Sequence, residues 1–237
     1  MDFYSSIAKN YNSIFPINPA QISFVNSIVS EHSSVLDIGC GTGNLAISLA
    51  DFGHRVTAID PDDKMLEIAV SNSSTNNPVF SKLGMMDVGK PPLDGSFDLV
   101  ICFGNTVVHL TEPESIGLFF KNVRKVIPVG GKFSFQIINY DNVLDNKLTG
   151  LPTIENNHVR FERNYRLNSK GTIDFETICT IKKDEQSIVN TVELYPLRKS
   201  QAEDLLTKAG FEIIQTFSSF KMDVYSPDSL PLVYVCS

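Results

Sequence analysis

The sequence predicts an α/β protein whose mostly parallel sheet is interrupted by an antiparallel β meander. From about Ser34 to Ile138, short apolar runs alternate with helical patterns, which is typical of βαβ units in a parallel sheet. Between about Asn157 and Tyr195, strand-like runs follow one another without helices, which indicates an antiparallel meander. Helical and strand patterns then resume, so the meander is an insert in an α/β domain.

Apolar spacing predicts the individual elements of the α/β part. The expected buried strands are Val35–Ile38, Val56–Ile59, Phe97–Ile101 and Lys132–Ile138. Before the last of these strands, Ile116, Phe120 and Val123 lie three or four positions apart and predict a helix. Thr111 and Glu114 offer that helix a capping box.

Three antiparallel strands are predicted in the insert. They span Val159–Leu167, Thr172–Ile181 and Ser187–Tyr195, with turns at 169–171 and 183–185. A helix that starts with the capping pair Ser200 and Glu203 follows them. Strands over Phe211–Phe217 and Leu230–Val235 end the chain.

The insert divides the chain into two parts. The α/β domain comprises residues 1–147 and 197–237, and the inserted subdomain comprises residues 148–196. Ligands of open α/β sheets bind at the carboxyl ends of the parallel strands. We therefore expect the insert to lie over that edge of the sheet and to cover the substrate.

Composition and charge exclude several classes of protein. With 20 basic and 27 acidic residues the net charge is −7, which opposes binding to a nucleic-acid backbone. The four cysteines, Cys40, Cys102, Cys179 and Cys236, lack the spacing of a metal site, so free thiols and no metal are expected. No signal-peptide pattern and no apolar run of membrane length are visible, so the sequence predicts a cytoplasmic protein without a membrane partner.

A glycine-rich turn follows the first predicted strand. The segment Asp37–Gly43 (DIGCGTG) lies at a strand-to-helix junction, where glycines let a ligand approach and the helix N-terminus offers free N–H groups. Asp60 ends the next strand, where a carboxylate can accept both hydroxyls of a ribose. Each feature alone also has a structural explanation: the glycines suit a tight turn, and the aspartate suits a helix N-cap. Because both occur together at the spacing of one βαβ unit, they favour a nucleoside ligand.

The form of the turn distinguishes between two nucleoside cofactors. A dinucleotide usually binds at G-x-G-x-x-G, whereas this turn reads G-x-G-x-G and follows Asp37. A carboxylate at that position repels a pyrophosphate but suits the ammonium of a methionine moiety. The turn therefore favours S-adenosylmethionine over NAD.

Three segments carry a resemblance to a known family. Val35–Ala50, Val56–Leu66 and Phe97–Leu110 resemble the first, second and fourth motifs of class I S-adenosylmethionine-dependent methyltransferases. The resemblance implies a Rossmann-like fold, with a seven-stranded mostly parallel sheet and helices on both faces, and S-adenosylmethionine as the cofactor.

A narrower resemblance is to the glycine and sarcosine N-methyltransferases. It is carried by Val100–Leu110 (VICFGNTVVHL) and Asn139–Leu144 (NYDNVL). Those enzymes have an arginine immediately before Asn-Tyr-Asp that binds the substrate carboxylate, and this chain has Ile138 there. Glycine is therefore expected to be a poor acceptor. The insert contains three arginines, Arg160, Arg163 and Arg166. One of them could bind the carboxylate instead, or all three could lie at solvated positions of their strand.

The resemblance also implies roles for individual residues. The expected cofactor-binding residues are Tyr4, Tyr11, Asp37, Gly39, Gly41, Asp60, Pro61, Met65, Met86, Asp87, Phe103 and Gly104. The two tyrosines would belong to a lid that excludes water, although they could also pack on a surface helix. The methionines and Asp87 would contact the adenine, although the methionines could equally fill the core. The residues expected around the acceptor are Asn105, His109, Tyr140 and Tyr195.

Together these features predict a methyltransferase that acts on a small-molecule acceptor. A neutral amine needs no general base before it attacks a methyl group, so the lack of a convincing catalytic pair favours transfer to nitrogen. The alternatives are an O- or C-methyltransferase, a non-catalytic S-adenosylmethionine-binding subunit, or an NAD-dependent oxidoreductase. Nucleic-acid methyltransferases have an Asn-Pro-Pro-aromatic motif after the fourth strand, which holds an extruded base. This chain has Gly104-Asn105-Thr106 there, so no nucleic-acid substrate is expected. The oligomeric state is left open.

Overall fold

A computed structural model of the chain describes residues 3–183 and 186–237. Within those residues, a seven-stranded sheet carries helices on both faces and a four-stranded antiparallel sheet forms the insert. The predicted turn over 183–185 extends beyond the described residues. No helix of the described chain combines the length and apolarity that crossing a bilayer requires.

The helices and strands have the following bounds. The α-helices are α1 (Phe3–Ile7), α2 (Tyr11–Ile14), α3 (Pro19–Ile28), α4 (Asn44–Asp51), α5 (Asp63–Asn72), α6 (Pro113–Lys125), α7 (Tyr140–Asp145) and α8 (Lys199–Lys208). The strands are β1 (Ser34–Ile38), β2 (Arg55–Asp60), β3 (Val79–Lys82), β4 (Leu99–Cys102), β5 (Lys132–Ile138), β6 (Gly150–Glu155), β7 (Val159–Leu167), β8 (Ile173–Ile181), β9 (Gln186–Leu194), β10 (Ile213–Phe217) and β11 (Pro231–Cys236). Short 3₁₀ helices span Ala8–Asn10, Met85–Asp87 and Thr106–His109.

The larger sheet has the order β10-β11-β5-β4-β1-β2-β3 and confirms the predicted fold class. Its central pairs are parallel, and β11 runs antiparallel to both of its neighbours. Side chains alternate across the sheet: Leu36 and Ile38 of β1 belong to one apolar cluster, whereas Val35 belongs to the other. Both faces are therefore buried, as parallel sheets require.

Aromatic side chains fill the core on one face of this sheet. Phe120 of α6 packs between Phe133 and Phe135 of β5, with ring centroids 5.8 and 5.3 Å away. Phe135 in turn stacks on Tyr234 of β11 at 4.5 Å. These contacts join α6 to the sheet and fix the carboxyl end of β5 relative to its neighbours.

The predicted capping boxes of two helices are wrong. Helix α6 begins at Pro113 with Glu112 as its N-cap, because a proline with fixed φ is favoured at the first helical position. Helix α8 begins at Lys199, and Gln201 Oε1 accepts the N–H of Arg198 at 3.2 Å. Neither helix uses the predicted serine or threonine.

Two strands, β3 and β6, were not predicted from the sequence. Strand β3 lies at the edge of the large sheet and lacks an apolar pattern of its own. Strand β6 contains Pro152, which lacks an N–H, and lies at the edge of the insert. Gly150 permits its pairing, since a Cβ there would lie 2.2 Å from the carbonyl oxygen of Arg163. Edge strands owe their existence to pairing with a neighbour, which local sequence does not record.

The N-terminal segment packs on the insert. Ile7 and Ile14 form a buried cluster with Val159, Phe161 and Cys179 of the four-stranded sheet. This third core, separate from the two on the large sheet, holds residues 3–15 across the carboxyl ends of the parallel strands.

Candidate active site

A cavity of about 650 Å³ lies between the two sheets, within the size range of small-molecule sites. Its floor is formed where parallel strands end, by Asp37 within β1 and Gly39 after it, by Phe103 after β4, and by Ile138 of β5. The insert contributes the opposite wall with Leu151, Phe161, Arg163, Tyr165, Phe175 and Leu194. The N-terminal segment closes one side with Tyr4, Tyr11, Ile14 and Phe15.

The glycine turn is held in a conformation that few other residues adopt. Gly39 has φ +74°, and its N–H donates to the carbonyl of Ile59 at 2.8 Å. A Cβ at Gly39 would lie 2.6 Å from Cγ2 of Thr106. Gly41 has φ +55° and donates its N–H to Asp60 at 2.9 Å. The turn is therefore close-packed on both sides, and at Gly39 it presents backbone to the cavity.

Two carboxylates lie buried beside this turn. Asp37 is 4 % exposed, and burial together with the charge of Asp60 raises its pKa to about 7. Burial also raises the pKa of Asp60. Neither carboxylate forms an ion pair with a described lysine or arginine. A cationic ligand such as the ammonium of S-adenosylmethionine fits this surplus of negative charge, and a pyrophosphate does not.

The residues expected at the adenosine lie beyond the cavity wall. Both carboxylate oxygens of Asp60 accept backbone N–H groups, from Gly41 and from Asp62, each at 2.9 Å. Asp87 accepts the N–H of Gly84 at 2.8 Å. Pro61 is exposed, Met65 is buried and Met86 packs against the main core. Their contacts with a nucleoside stay predictions.

The N-terminal segment touches both sheets around the cavity. The hydroxyl of Tyr4 forms a 2.8 Å hydrogen bond with Nε2 of His109. Ser5 donates to Asp62 at 2.6 Å, and Asn190 of the insert donates to Ser6 at 2.7 Å. The ring of Tyr11 lies against Gly41, 3.4 Å from where a Cβ would stand. The segment thus has the position that a lid needs.

The four residues expected near the acceptor have different surroundings. Asn105 lies on the cavity, donates to the hydroxyl of Tyr140 at 3.0 Å and accepts the N–H of Ile138 at 2.9 Å. Burial lowers the pKa of His109 to about 4, so its imidazole is neutral at pH 7. Tyr195 lies outside the cavity wall, where its hydroxyl accepts from Gln201 at 3.1 Å. Its role toward the acceptor stays a prediction.

Sequence reasoning missed Phe161 and Tyr165 on the wall that the insert provides, and it offered Arg163 only as one of three candidate anchors. Phe161, Arg163 and Tyr165 lie on the cavity and alternate along β7. This period of two is visible in the sequence and places them on one face of the strand. Gln136 was also missed; its Oε1 accepts the N–H of Gly104 at 3.0 Å.

Comparisons with known proteins identify a methyltransferase domain in part of the chain. Residues 35–131 match the family model of a methyltransferase domain. Over 126 residues the chain is 35 % identical to human glycine N-methyltransferase, a stretch that covers 46 % of this chain and 42 % of the human protein. The chain therefore spans less than half the length of that relative.

Two further comparisons extend over most of the chain. Glycine/sarcosine N-methyltransferase of Aphanothece halophytica is 26 % identical over 211 residues, which cover 86 % of this chain and 77 % of that protein. A crystal structure of an S-adenosylmethionine-dependent methyltransferase from Clostridium acetobutylicum superposes with a TM-score of 0.81 at 16 % identity. The superposition covers 100 % of this chain and 99 % of that chain. At that identity the superposition establishes the shared fold. The family model identifies a methyltransferase domain at residues 35–131, and the relatives and the shared fold support a class I S-adenosylmethionine-dependent methyltransferase.

Proposed function

We propose that the chain transfers a methyl group from S-adenosylmethionine to a nitrogen atom of a small-molecule acceptor. The observation that carries this proposal is the cavity of about 650 Å³, which joins the glycine turn to a wall of the insert. A site of this size accommodates a cofactor end and a metabolite rather than a polymer. The net charge of −7 also disfavours a nucleic-acid substrate.

The residues around the cavity have separate roles in this proposal. Asp37 would hold the ammonium of the cofactor, and the turn at Gly39 would let its methionine end approach the backbone. Tyr4 and Tyr11 would exclude water from the reacting atoms. Bound S-adenosylmethionine would supply a methyl group activated by its positively charged sulfur.

Alignment supplies most of the catalysis that this site can offer. An acceptor held in line with the methyl group gains about 7–11 kcal/mol over the reaction in solution. Asn105 would position the acceptor through its hydrogen bonds to Tyr140 and to the backbone of Ile138. The acceptor would react as its neutral amine, and His109, neutral at pH 7, would orient it by accepting a hydrogen bond.

A second candidate reaction is transfer to oxygen. A hydroxyl acceptor requires a base, and the imidazole of His109 lies on the cavity. Burial lowers its pKa to about 4 and makes it a weak base, which puts this reaction second. Two relatives whose names specify N-methylation, the human and the Aphanothece proteins, favour nitrogen as the first candidate. We also propose that the chain is divided into an α/β domain, residues 1–147 and 197–237, and an inserted subdomain, residues 148–196. A cytoplasmic location is proposed as well.

Release of S-adenosylhomocysteine by the purified chain tests the proposed function. The acceptor panel would contain amino acids, other primary and secondary amines, phenols and a nucleic-acid control. We expect release with amines, and His109→Gln should lower kcat about 100-fold because the hydrogen bond that orients the acceptor is lost. Release with phenols alone would select the second candidate. Binding of S-adenosylmethionine without turnover of any acceptor, or turnover of nucleic acid alone, would contradict the proposal.

A further inference from the structure

The three arginines of β7 differ in their surroundings. Arg160 forms ion pairs with Glu155 and Glu162, at 3.7 and 2.5 Å, and Arg166 pairs with Asp174 at 2.8 Å. Both are solvated positions on the outer face of the insert. Arg163 lies at an odd position of the same strand, so it belongs to the opposite face and reaches the cavity.

Arg163 is surrounded by apolar and uncharged groups. Phe161 and Tyr165 flank it along the strand, and Leu151 and Thr177 lie opposite it on the neighbouring strands. Its Nη2 donates to the carbonyl of Pro152, while its Nε is buried and has no hydrogen-bond partner. The ion pairs of the described chain do not include it.

A guanidinium in this position favours an anionic ligand. Burying a charge and a donor without partners costs free energy, and burial lowers the pKa of Arg163. Among the described groups that line the cavity, Arg163 is the one cation at neutral pH, since His109 has a pKa of about 4. The planar guanidinium presents two parallel donors that match a carboxylate.

The neighbours of Arg163 place it beside the acceptor end of the cavity. The ring of Tyr165 lies 6.4 Å from the ring of Tyr140, whose hydroxyl is bonded to Asn105. On the other side, the ring of Phe161 lies 5.6 Å from Phe15 of the N-terminal segment. Arg163 therefore lies between the lid and the residues that would position the acceptor.

We propose that Arg163 binds a carboxylate of the methyl acceptor, so that the acceptor is an amino acid or another amine that carries a carboxylate. This inference rests on the proposed function and names the substrate class of the same site. The anchor comes from the insert, whereas Ile138 occupies the end of β5. The carboxylate is therefore held on a different wall, and amino acids longer than glycine should be better acceptors than glycine.

The test compares amino acids with the amines formed by removing their carboxylate. The pairs are tyrosine with tyramine, histidine with histamine, and 4-aminobutyrate with propylamine, with glycine included. Methyl transfer is followed by S-adenosylhomocysteine release, and binding of the same compounds to the protein–S-adenosylhomocysteine complex is measured by calorimetry. The variants are Arg163→Gln and Arg163→Lys, with Arg166→Gln as the matched control on the same strand.

We expect at least one amino acid of the panel to exceed its carboxylate-free partner in kcat/KM or affinity. Arg163→Gln should lower that value about 10- to 100-fold, mainly through KM, and leave the partner amine within about threefold. Arg163→Lys should recover part of the loss, because it keeps the charge but not the paired donors. Arg166→Gln should behave as the unmodified chain.

The cofactor also carries a carboxylate, which is the alternative partner for the guanidinium of Arg163. S-adenosylhomocysteine carries that carboxylate, and 5′-methylthioadenosine lacks the whole amino-acid end. If Arg163→Gln weakens binding of the first ligand and not of the second, Arg163 serves the cofactor and the inference is overturned.

The inference and the proposed function fail in different ways. Preference for carboxylate-free amines, or an Arg163→Gln variant with unchanged preference, would overturn the inference and leave methyl transfer intact. Carboxylate binding that depends on Arg163 without any turnover would support the inference and overturn the proposed function. If Arg163→Gln does not fold, Arg163→Lys and the preference of the unmodified chain decide.

Discussion

At the scale of single residues, burial in one cavity moves two pKa values in opposite directions. The same desolvation raises the pKa of Asp37 to about 7 and lowers that of His109 to about 4. Each shift favours the neutral form of the group. The empty cavity therefore holds His109 as a neutral, weakly basic imidazole, and a cation beside Asp37 would favour its ionised form.

Binding of S-adenosylhomocysteine should become tighter as the pH rises from 5.5 to 7. The proposed pairing of Asp37 with the ligand's ammonium requires an ionised carboxylate. Because the pKa of Asp37 is about 7 in the free protein, that pairing would release a proton on binding. We expect about a tenfold gain in affinity over this range and little further gain above pH 7. Calorimetry across this pH range measures the effect.

Two controls isolate the contribution of Asp37. 5′-Methylthioadenosine carries no ammonium and should bind with little pH dependence. Asp37→Asn should bind S-adenosylhomocysteine more weakly and with a flat pH profile. An equal pH dependence for both ligands would assign the effect to another group.

At the scale of elements, the glycine turn shows how a strand-to-helix junction is built from backbone. Gly39 donates to Ile59 of the adjacent strand and packs against Thr106 from the loop after β4. The hydroxyl of Thr106 donates to the carbonyl of Phe103 at 2.7 Å, which fixes that side chain in place. The turn therefore has no free space for a larger residue.

Gly39→Ala should destabilise the fold and weaken cofactor binding. A left-handed φ costs a non-glycine residue about 1–2 kcal/mol, and the new Cβ would lie 2.6 Å from Thr106. We expect the free energy of unfolding to fall by about 2 kcal/mol or more in denaturant titrations. Affinity for S-adenosylhomocysteine should fall with it, because the turn must shift.

Gly171→Ala is the matched control for this change. Gly171 has φ +82° in a turn of the insert, and a Cβ there meets nothing within 4 Å. It should therefore show the conformational cost alone and keep its affinity for S-adenosylhomocysteine. Equal losses of stability in both variants would mean that Thr106 can move aside.

At the scale of the whole molecule, three parts of the chain close one cavity. The large sheet provides the glycine turn, the insert provides the opposite wall, and residues 3–15 bridge them. Hydrogen bonds from Asn190 to Ser6 and from Asn156 to the carbonyl of Ser13 join the insert to the N-terminal segment, both at 2.7 Å. A ligand in the cavity therefore contacts parts of the chain that are far apart in sequence.

S-adenosylhomocysteine should raise the unfolding temperature of the whole chain, and NADH should not. At a concentration of 100 times its Kd, a ligand adds about 2.7 kcal/mol of stability, or roughly 5–10 °C for a chain of this length. Amide hydrogen exchange in residues 3–15 should also slow when this ligand binds, because the segment forms one side of the cavity. A shift with NADH alone would instead favour the oxidoreductase alternative.

Much of this protein was determined by local sequence. Short continuous apolar runs predicted the central strands, because both faces of a parallel sheet are buried, and alternating residues predicted the antiparallel insert. Apolar residues three or four positions apart predicted helices. The turn at Gly39 was also predicted, since glycine there answers a local requirement of the backbone. The spacing of this turn to Asp60 predicted a nucleoside ligand, and the contact of Asp60 with that ligand stays a prediction.

Tertiary structure alone decided the edge strands and the composition of the insert wall. Strands β3 and β6 exist because a neighbour supplies their hydrogen bonds, and their own residues carry little pattern. Arg160, Arg163 and Arg166 are alike in sequence, yet their position on the strand sends one to the cavity and the others to carboxylates on the surface. Local spacing specifies the face on which a side chain lies, but contacts between distant segments decide whether that face meets water or a ligand.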